Sequence, residues 1–245
     1  MVWPTNMAAM LTLRRTSTWK STIAAAGAAA VVLAGCSSGG SGNEALPDAA
    51  ELLTASQAST AKLTSAHLEI TVEGKITGMP IKSVVGDLTN EPASAAKGNA
   101  TITMGGSTVE APFIVADGIL YAALTEGGSY SDWGPAEKIY DPSVILDPNN
   151  GLANMLANFT GATSEATEKV GDTETVRVTG ETSAEAVNKL LPQLKADKPV
   201  KSTAWIAKDD DHKLVKARIS PSDDTYIDMT LSAWNAPVTI TKPEV

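Results

Sequence analysis

Side chains able to carry covalent or metal chemistry are few in this sequence. Its 245 residues contain one cysteine, Cys36, and two histidines, His67 and His212. An intramolecular disulfide framework and a Cys-rich zinc site are thereby excluded, and little is left for a His-based metal centre or a catalytic base. Ser65 lies two residues before His67, but no Gly-x-Ser-x-Gly elbow accompanies them, so His67 reads as structural. Asp209-Asp210-Asp211-His212 sets four possible ligands in a row. The glycine and bidentate glutamate of a calcium loop are missing, and the run reads as a solvated hairpin connection. Lys189, Lys195, Lys198 and Lys201 form a local basic group, which reads either as an anion contact or as plain solvated surface. No metal, cofactor or catalytic group is expected.

The charge balance points the same way. Nineteen Lys and Arg stand against 28 Asp and Glu, a net charge of −9. Nucleic-acid binding needs a basic surface to displace phosphate counterions, so a DNA or RNA partner is not expected.

What remains for Cys36 is attachment. Arg14, Arg15 and Lys20 form a positive flank, and Ser21 to Ala34 is an Ala/Val/Leu run of about 14 residues, shorter than the ~20 a spanning helix needs. Residues 1–35 therefore read as a cleaved export signal. Its last residues, with the one after them, are Leu33-Ala34-Gly35-Cys36, a tetrapeptide that resembles the lipobox of bacterial lipoproteins. That likeness implies a diacylglyceryl group on the Cys36 sulfur and often a third acyl chain on its amine. At about 0.8 kcal/mol per buried methylene, two or more chains hold a protein on a bilayer where one binds reversibly. The part after residue 35 keeps 16 basic and 28 acidic residues, a net charge of −12, so acyl chains rather than a polybasic patch must do the anchoring. Residues 36–46 read as lipidated Cys36 plus a flexible tether, since Ser37 to Gly42 has no apolar side chain to pack.

Residues 47–245 read as one domain. Leu52, Leu53, Ala58, Ala61 and Leu63 recur at helical spacing behind Asp48, predicting a helix over about 48–64 with Asp48 as N-cap. From Ala66 the period becomes two: Leu68, Ile70, Val72 and Ile76 alternate with polar residues, a half-buried strand. Strands follow at about 81–89, 98–104, 109–115 and 119–124, joined by Gly78-Met79-Pro80, Gly105-Gly106 and Asp117-Gly118, which makes an antiparallel meander. Pro112 lacks a ladder donor and is expected at an edge or bulge. A long loop with two short helices, starting near Asp141-Pro142 and Asn149-Asn150-Gly151, occupies about 126–160. Strands at 162–170 and 173–180 precede a helix capped by Ser183 and ended or kinked by Pro192. Four more strands are expected, at 202–207, 213–219, 225–234 and 237–242. About eleven strands with segregated helices predict an α+β fold, one large curved antiparallel sheet with helices packed on one side.

A sheet that wide must curl as it twists, and its hollow needs bulk to fill it. Only nine aromatic residues occur after residue 35, and many inward positions are Ala, Val, Thr or Met. Small side chains leave an internal cavity as one outcome and helices that fill it completely as the other.

Several segments carry a resemblance: Leu46-Pro47-Asp48-Ala49, Ser65-Ala66-His67, Gly86-Asp87-Leu88-Thr89, Asp117-Gly118-Ile119-Leu120-Tyr121-Ala122, Trp133-Gly134-Pro135-Ala136, Ile139-Tyr140-Asp141-Pro142, Gly151-Leu152-Ala153-Asn154, Ala186-Val187-Asn188 and Met229-Thr230-Leu231-Ser232. In this order the chain resembles the mycobacterial LppX/LprA/LprF/LprG lipoprotein family, its LprG branch most. The resemblance implies a half-barrel sheet wrapped around helices and enclosing an apolar cavity. It implies a carrier of acylated lipids and lipoglycans: triacylglycerol, phosphatidylinositol mannosides and lipoarabinomannan. It further implies a major-facilitator efflux transporter as partner and a place on the outer, periplasmic face of the cell membrane. Ala100 matches a valine at the cavity mouth of that branch, so a wider mouth is expected. An envelope scaffold without transport is the alternative function.

Lipids with two or three long chains expose dozens of methylenes at about 0.8 kcal/mol each, so crossing an aqueous layer requires cover. A cavity at or above the upper end of roughly 300–1,000 Å³ is expected. Strand alternation, with helical spacing for Leu152, Leu156 and Phe159, nominates Ile70, Val72, Ala100, Ile102, Met104, Val109, Phe113, Val115, Leu152, Leu156, Phe159, Val176, Val178, Ile227, Met229 and Leu231 as its lining. The lysine group near residue 195 is a candidate contact for a lipid phosphate at the mouth.

Overall fold

The computed structural model describes residues 45–139 and 141–245. The export signal, Cys36 and residues 37–44 of the tether lie outside the described residues, as does Tyr140. No helix among the described residues is long and apolar enough to cross a membrane.

Helix α1 (Ala49–Thr60) starts at the expected cap: Asp48 Oδ1 accepts from the amides of Ala50 at 2.9 Å and Glu51 at 3.0 Å. Such a cap stabilises a helix by about 1 kcal/mol. A first run of strands follows: β1 (Ser65–Glu73), β2 (Ile81–Thr89), β3 (Ala95–Met104), β4 (Ser107–Ala116), β5 (Ile119–Ala122) and β6 (Ser131–Pro135). Two 3₁₀ turns (Ala136–Lys138 and Pro142–Leu146) and α2 (Leu152–Ala157) lead to β7 (Phe159–Val170) and β8 (Thr173–Thr182). Helix α3 (Ala184–Leu190), capped by Ser183, runs into a 3₁₀ turn begun by Pro192, and β9 (Val200–Ala207), β10 (Leu214–Ser222) and β11 (Thr225–Ser232) complete the fold.

The eleven strands form one sheet in the order β6-β5-β4-β3-β2-β1-β11-β10-β9-β8-β7. Every described pairing is antiparallel, and the two meanders join where β1 pairs with β11, Ile70 opposite Met229. This is the α+β single-sheet architecture expected, with two differences in its parts.

β6 falls in the stretch expected to be loop, because Gly134 and Pro135 read as breakers although a five-residue edge strand accommodates both. The segment 237–242, expected to be a strand, is not one. Ala233 and Asn235 take positive φ (48° and 57°) and turn the chain out of the sheet after β11. Both neighbours of β4 are already paired, so the alternating Val238 and Ile240 find no edge there. Ile240 instead packs on the outer face against Ile114, Ala116 and Tyr121. Pro112 lies on an interior strand, not an edge: it faces Asn99 of β3. Its other side looks past the end of β5, where the Ala123 amide donates to the Pro112 carbonyl at 3.0 Å and the missing donor falls where the ladder stops.

Side chains alternate across the sheet. Leu68, Ile70 and Val72 of β1, Val84 and Leu88 of β2, Phe113 and Val115 of β4, and Val176 and Val178 of β8 belong to one buried core with Leu52, Leu53, Leu152, Leu156, Val187 and Leu190 of the helices. α1 packs under β7, β9 and β10, and α2 packs against α1 and α3. The helices thus fill the trough beneath the second meander, and the first meander is covered less completely.

Candidate functional site

That lesser cover leaves a cavity of about 260 Å³ beneath β1 to β5. Its floor comes from alternate residues of successive strands, as the pleat requires, except on β2, where a register shift between Ile81 and Ser83 interrupts the alternation. Ile70 and Val72 project from β1, Ile81 and Val84 from β2, Ala100 and Ile102 from β3, Ala111 and Phe113 from β4, and Leu120 and Ala122 from β5. Ile227 closes it from β11, Leu191 and Gln193 from the end of α3, Trp133 from β6, and Ile139 and Pro142 from the segment after it.

Sheet curvature creates the hollow. Gly86 and Gly98 face each other across β2 and β3. A Cβ on Gly86 would stand 2.3 Å from the Lys97 carbonyl oxygen, and one on Gly98 would stand 2.1 Å from that of Val85. Neither strand tolerates a side chain there, so the two backbones close on each other on the inner face, as glycine kinks do in curved sheets.

Four lining side chains are also exposed: Met104 (45%), Leu124 (51%), Trp133 (43%) and Ile139 (45%). They form an apolar rim where the cavity meets solvent. Contiguous exposed apolar surface of this kind marks an interaction site rather than ordinary protein surface. Within the cavity one side chain, Gln193, carries an amide. Its Nε2 donates to the Ile139 carbonyl at 2.9 Å, tying the turn after α3 to the rim loop.

Seven of the sixteen nominated residues line this cavity: Ile70, Val72, Ala100, Ile102, Met104, Phe113 and Ile227. Val115, Leu152, Leu156, Val176, Val178, Met229 and Leu231 are buried in the continuous core, and Phe159 packs against that core beside Gly180. Val109 shares the inner row of β4 but sits half-buried near the strand end, outside the lining. Alternation identifies the inner face correctly and does not say which part of it the helices fill. Val84, Leu120 and Ala122 follow the same alternation and were within reach of it, whereas Ile81 reaches the lining through the register shift between Ile81 and Ser83. Trp133 lies in β6, a strand the breakers Gly134 and Pro135 hid, Leu191 ends the apolar spacing of α3, and Ile139 and Gln193 sit in turns that no period reveals. The cavity, expected at or above the upper end of roughly 300–1,000 Å³, is smaller at about 260 Å³, because Leu152, Leu156 and Leu190 occupy the other half of the trough.

The remaining chemistry-bearing residues engage one another. His67 Nδ1 lies 2.7 Å from Asp87 Oδ1 across β1 and β2, and the Ser65 hydroxyl donates to the Ala236 carbonyl at 2.5 Å, so serine and histidine do not meet. Asp211 pairs with Lys213 in the β9–β10 connection. Its carboxyl is held below the ordinary range by that hydrogen bond and charge. No group of three His, Cys, Asp or Glu side chains suited to a metal ion occurs among the described residues. Lys189 pairs with Glu185 at 3.0 Å and Lys201 with Asp223 at 2.8 Å. Lys195 lines a second recess of mixed character.

Residues 48–240 match the model of the LppX_LprAFG lipoprotein family. The chain belongs to this family. The lipoarabinomannan carrier protein LprG of Mycolicibacterium smegmatis is 50% identical over 217 residues, 88% of this chain and 92% of that protein. The protein of the same name from Mycobacterium tuberculosis is 46% identical over 238 residues, 96% of this chain and all of that one. Among solved structures, LprF from Mycobacterium bovis matches with a TM-score of 0.72 at 33% identity, over 81% of this chain and 98% of that one. The Mycobacterium tuberculosis lipoprotein LppX matches with a TM-score of 0.62 at 27% identity, over 78% and 97%. The open eleven-stranded sheet with helices in its hollow is therefore the fold of this lipoprotein family.

Proposed function

We propose that this protein is a membrane-tethered lipid carrier: it takes acyl chains of lipids into the cavity beneath β1 to β5 and holds them out of water while the headgroup stays outside. The observation that carries this reading is an apolar cavity with an exposed apolar rim, in a chain that is 46–50% identical over most of its length to proteins named lipoarabinomannan carriers. At about 0.8 kcal/mol per methylene, covering part of a single chain already favours the complex by several kcal/mol. A volume of about 260 Å³ covers part of one long chain, and the rest lies along the open rim or enters as the rim loop moves off Gln193, which a side-chain hydrogen bond ties to it.

In this proposal the cargo comprises acylated lipids and lipoglycans such as triacylglycerol, phosphatidylinositol mannosides and lipoarabinomannan. Residues 1–35 direct export, acylated Cys36 anchors the protein on the outer face of the cell membrane, residues 36–46 give it reach, and residues 47–245 bind the lipid. A cytoplasmic-membrane efflux transporter of the major-facilitator class supplies or accepts the cargo. The chain carries no catalytic step. Native mass spectrometry of the protein from its own host, with Cys36→Ser as a comparison, tests both halves. A bound lipid is expected in each form, with the anchor's mass only where Cys36 is present. Empty protein across several extraction conditions contradicts the carrier reading and favours an envelope scaffold.

A further inference from the structure

A second recess, about 550 Å³ and more polar than the first though Ile76, Leu194 and Pro221 also line it, adjoins the cavity through Gly78 and Gln193, which line both. Lys75 and Thr77 border it from the segment after β1, Lys195 from the turn after α3, and Ser222 and Thr225 from the β10–β11 connection. Neither Lys75 nor Lys195 pairs with a carboxylate among the described residues. Two ammonium groups without a carboxylate partner thus border one recess.

The recess is built rather than incidental. Lys195 takes a left-handed backbone conformation (φ 47°, ψ 44°), which side-chain-bearing residues adopt at a cost of about 1 kcal/mol or more. Asn188 holds it there from both sides: Asn188 Oδ1 accepts from the Ala196 amide at 2.7 Å, and its Nδ2 donates to the Ala196 carbonyl at 2.8 Å. Just before Lys75, Gly74 (φ 78°) lets the chain pass against the start of β11, where a Cβ would stand 2.6 Å from the Asp224 carbonyl oxygen. At the boundary between the two spaces, Gln193 spends its Nε2 on Ile139, while its Oε1 is buried with no hydrogen-bond partner. A buried acceptor without a donor is unfavourable until something donates to it.

Resting on the carrier reading, we infer that this recess is a headgroup subsite for a phosphorylated, hydroxyl-bearing lipid, with Lys75 and Lys195 taking the phosphate and Gln193 Oε1 accepting from a hydroxyl near the point where the acyl chains enter. A triacylglycerol offers neither phosphate nor donor and gains nothing from the subsite.

The test uses the full chain, stripped of co-purified lipid, and equilibrium binding of dioleoylphosphatidylinositol, dioleoylglycerol and trioleoylglycerol. K75Q/K195Q loses about fivefold in affinity for the phosphoinositide and keeps its affinity for the other two. Q193M weakens the two hydroxyl-bearing lipids about fivefold relative to trioleoylglycerol. Equal losses for all three lipids, or unchanged affinities, overturn the inference while leaving the carrier reading intact. Binding of none of the lipids to the unmutated chain overturns both. Lysine-dependent binding of inorganic phosphate by ³¹P NMR, with lipid affinities unmoved in K75Q/K195Q, overturns it in favour of a free-anion site.

Discussion

Gly86 of β2 and Gly98 of β3 stand directly opposite each other on the inner face of the sheet, so close that a Cβ on either would lie 2.1–2.3 Å from a backbone carbonyl oxygen of the facing strand. Phe113 of β4 pairs with Gly98 on the next strand and lines the cavity. The missing side chains thus set the bend, and the bend sets the hollow. Gly98→Ala forces the strands apart and is expected to destabilise the protein by about 3 kcal/mol, as over-packing of a closed site does. Urea denaturation gives the value; a loss below about 0.5 kcal/mol shows that the bend has another origin.

Ala100 and Val109 occupy the same sheet face with different consequences. Ala100 lines the 260 Å³ cavity and Val109 does not. Ala100→Trp is expected to abolish lipid binding with the circular-dichroism spectrum preserved, while Val109→Trp leaves binding within about twofold, a free-energy change under ~0.5 kcal/mol. Equal effects of the two substitutions place the acyl chain somewhere other than beneath β3 and β4.

The rim predicts kinetics rather than capacity. Trp133 and Leu124 are exposed at the cavity edge, where an aromatic and an aliphatic side chain suit contact with a lipid surface. The pair Trp133→Ala and Leu124→Ser slows uptake of lipid from vesicles several-fold with the amount bound at equilibrium unchanged. Stopped-flow fluorescence separates the two, and an unchanged uptake rate assigns entry to another route.

Asp228 gives the second half of the sheet its pH dependence. Arg218 reaches both its oxygens, at 2.6 and 2.7 Å, and Lys216 approaches at 2.7 Å. Burial pushes the carboxyl up, yet the hydrogen bonds and charges of Arg218 and Lys216 together hold it below the ordinary carboxylate range. A folded-state value below the unfolded one stabilises the protein above the unfolded pKa of ~3.9, and this is lost as pH falls through the folded value. Asp228→Asn is expected to cost about 3 kcal/mol near neutrality, since it leaves two cations without their carboxylate, and to flatten the acid limb of the stability curve. A limb unchanged in Asp228→Asn assigns the acid sensitivity to other carboxylates.

Period and punctuation made most of the architecture legible. Ten of the strands fall where alternation and glycine turns put them, Asp48 and Ser183 cap their helices, and Pro192 ends α3. The failure at 237–242 is instructive, because Val238 and Ile240 alternate as a strand should. Strand formation also needs a free edge, which is a tertiary fact; Ile240 found an outer face instead. The cavity was legible to the same depth. Alternation gave Ile70, Val72, Ala100, Ile102 and Phe113 because they share the inner face. It also gave Val176 and Leu231, because facing inward does not reveal which helix covers a residue. Gln193 was out of reach for the opposite reason: a polar residue in a short turn becomes informative only when its burial and hydrogen bonds are known.

The most direct measurement is the mass of what the protein carries. Native mass spectrometry of the unmutated chain and of Ala100→Trp, both produced in the native host, is expected to show an acylated lipid on the first and none on the second, with both folded. An unmutated protein without lipid, or equal occupancy of the two, contradicts the account.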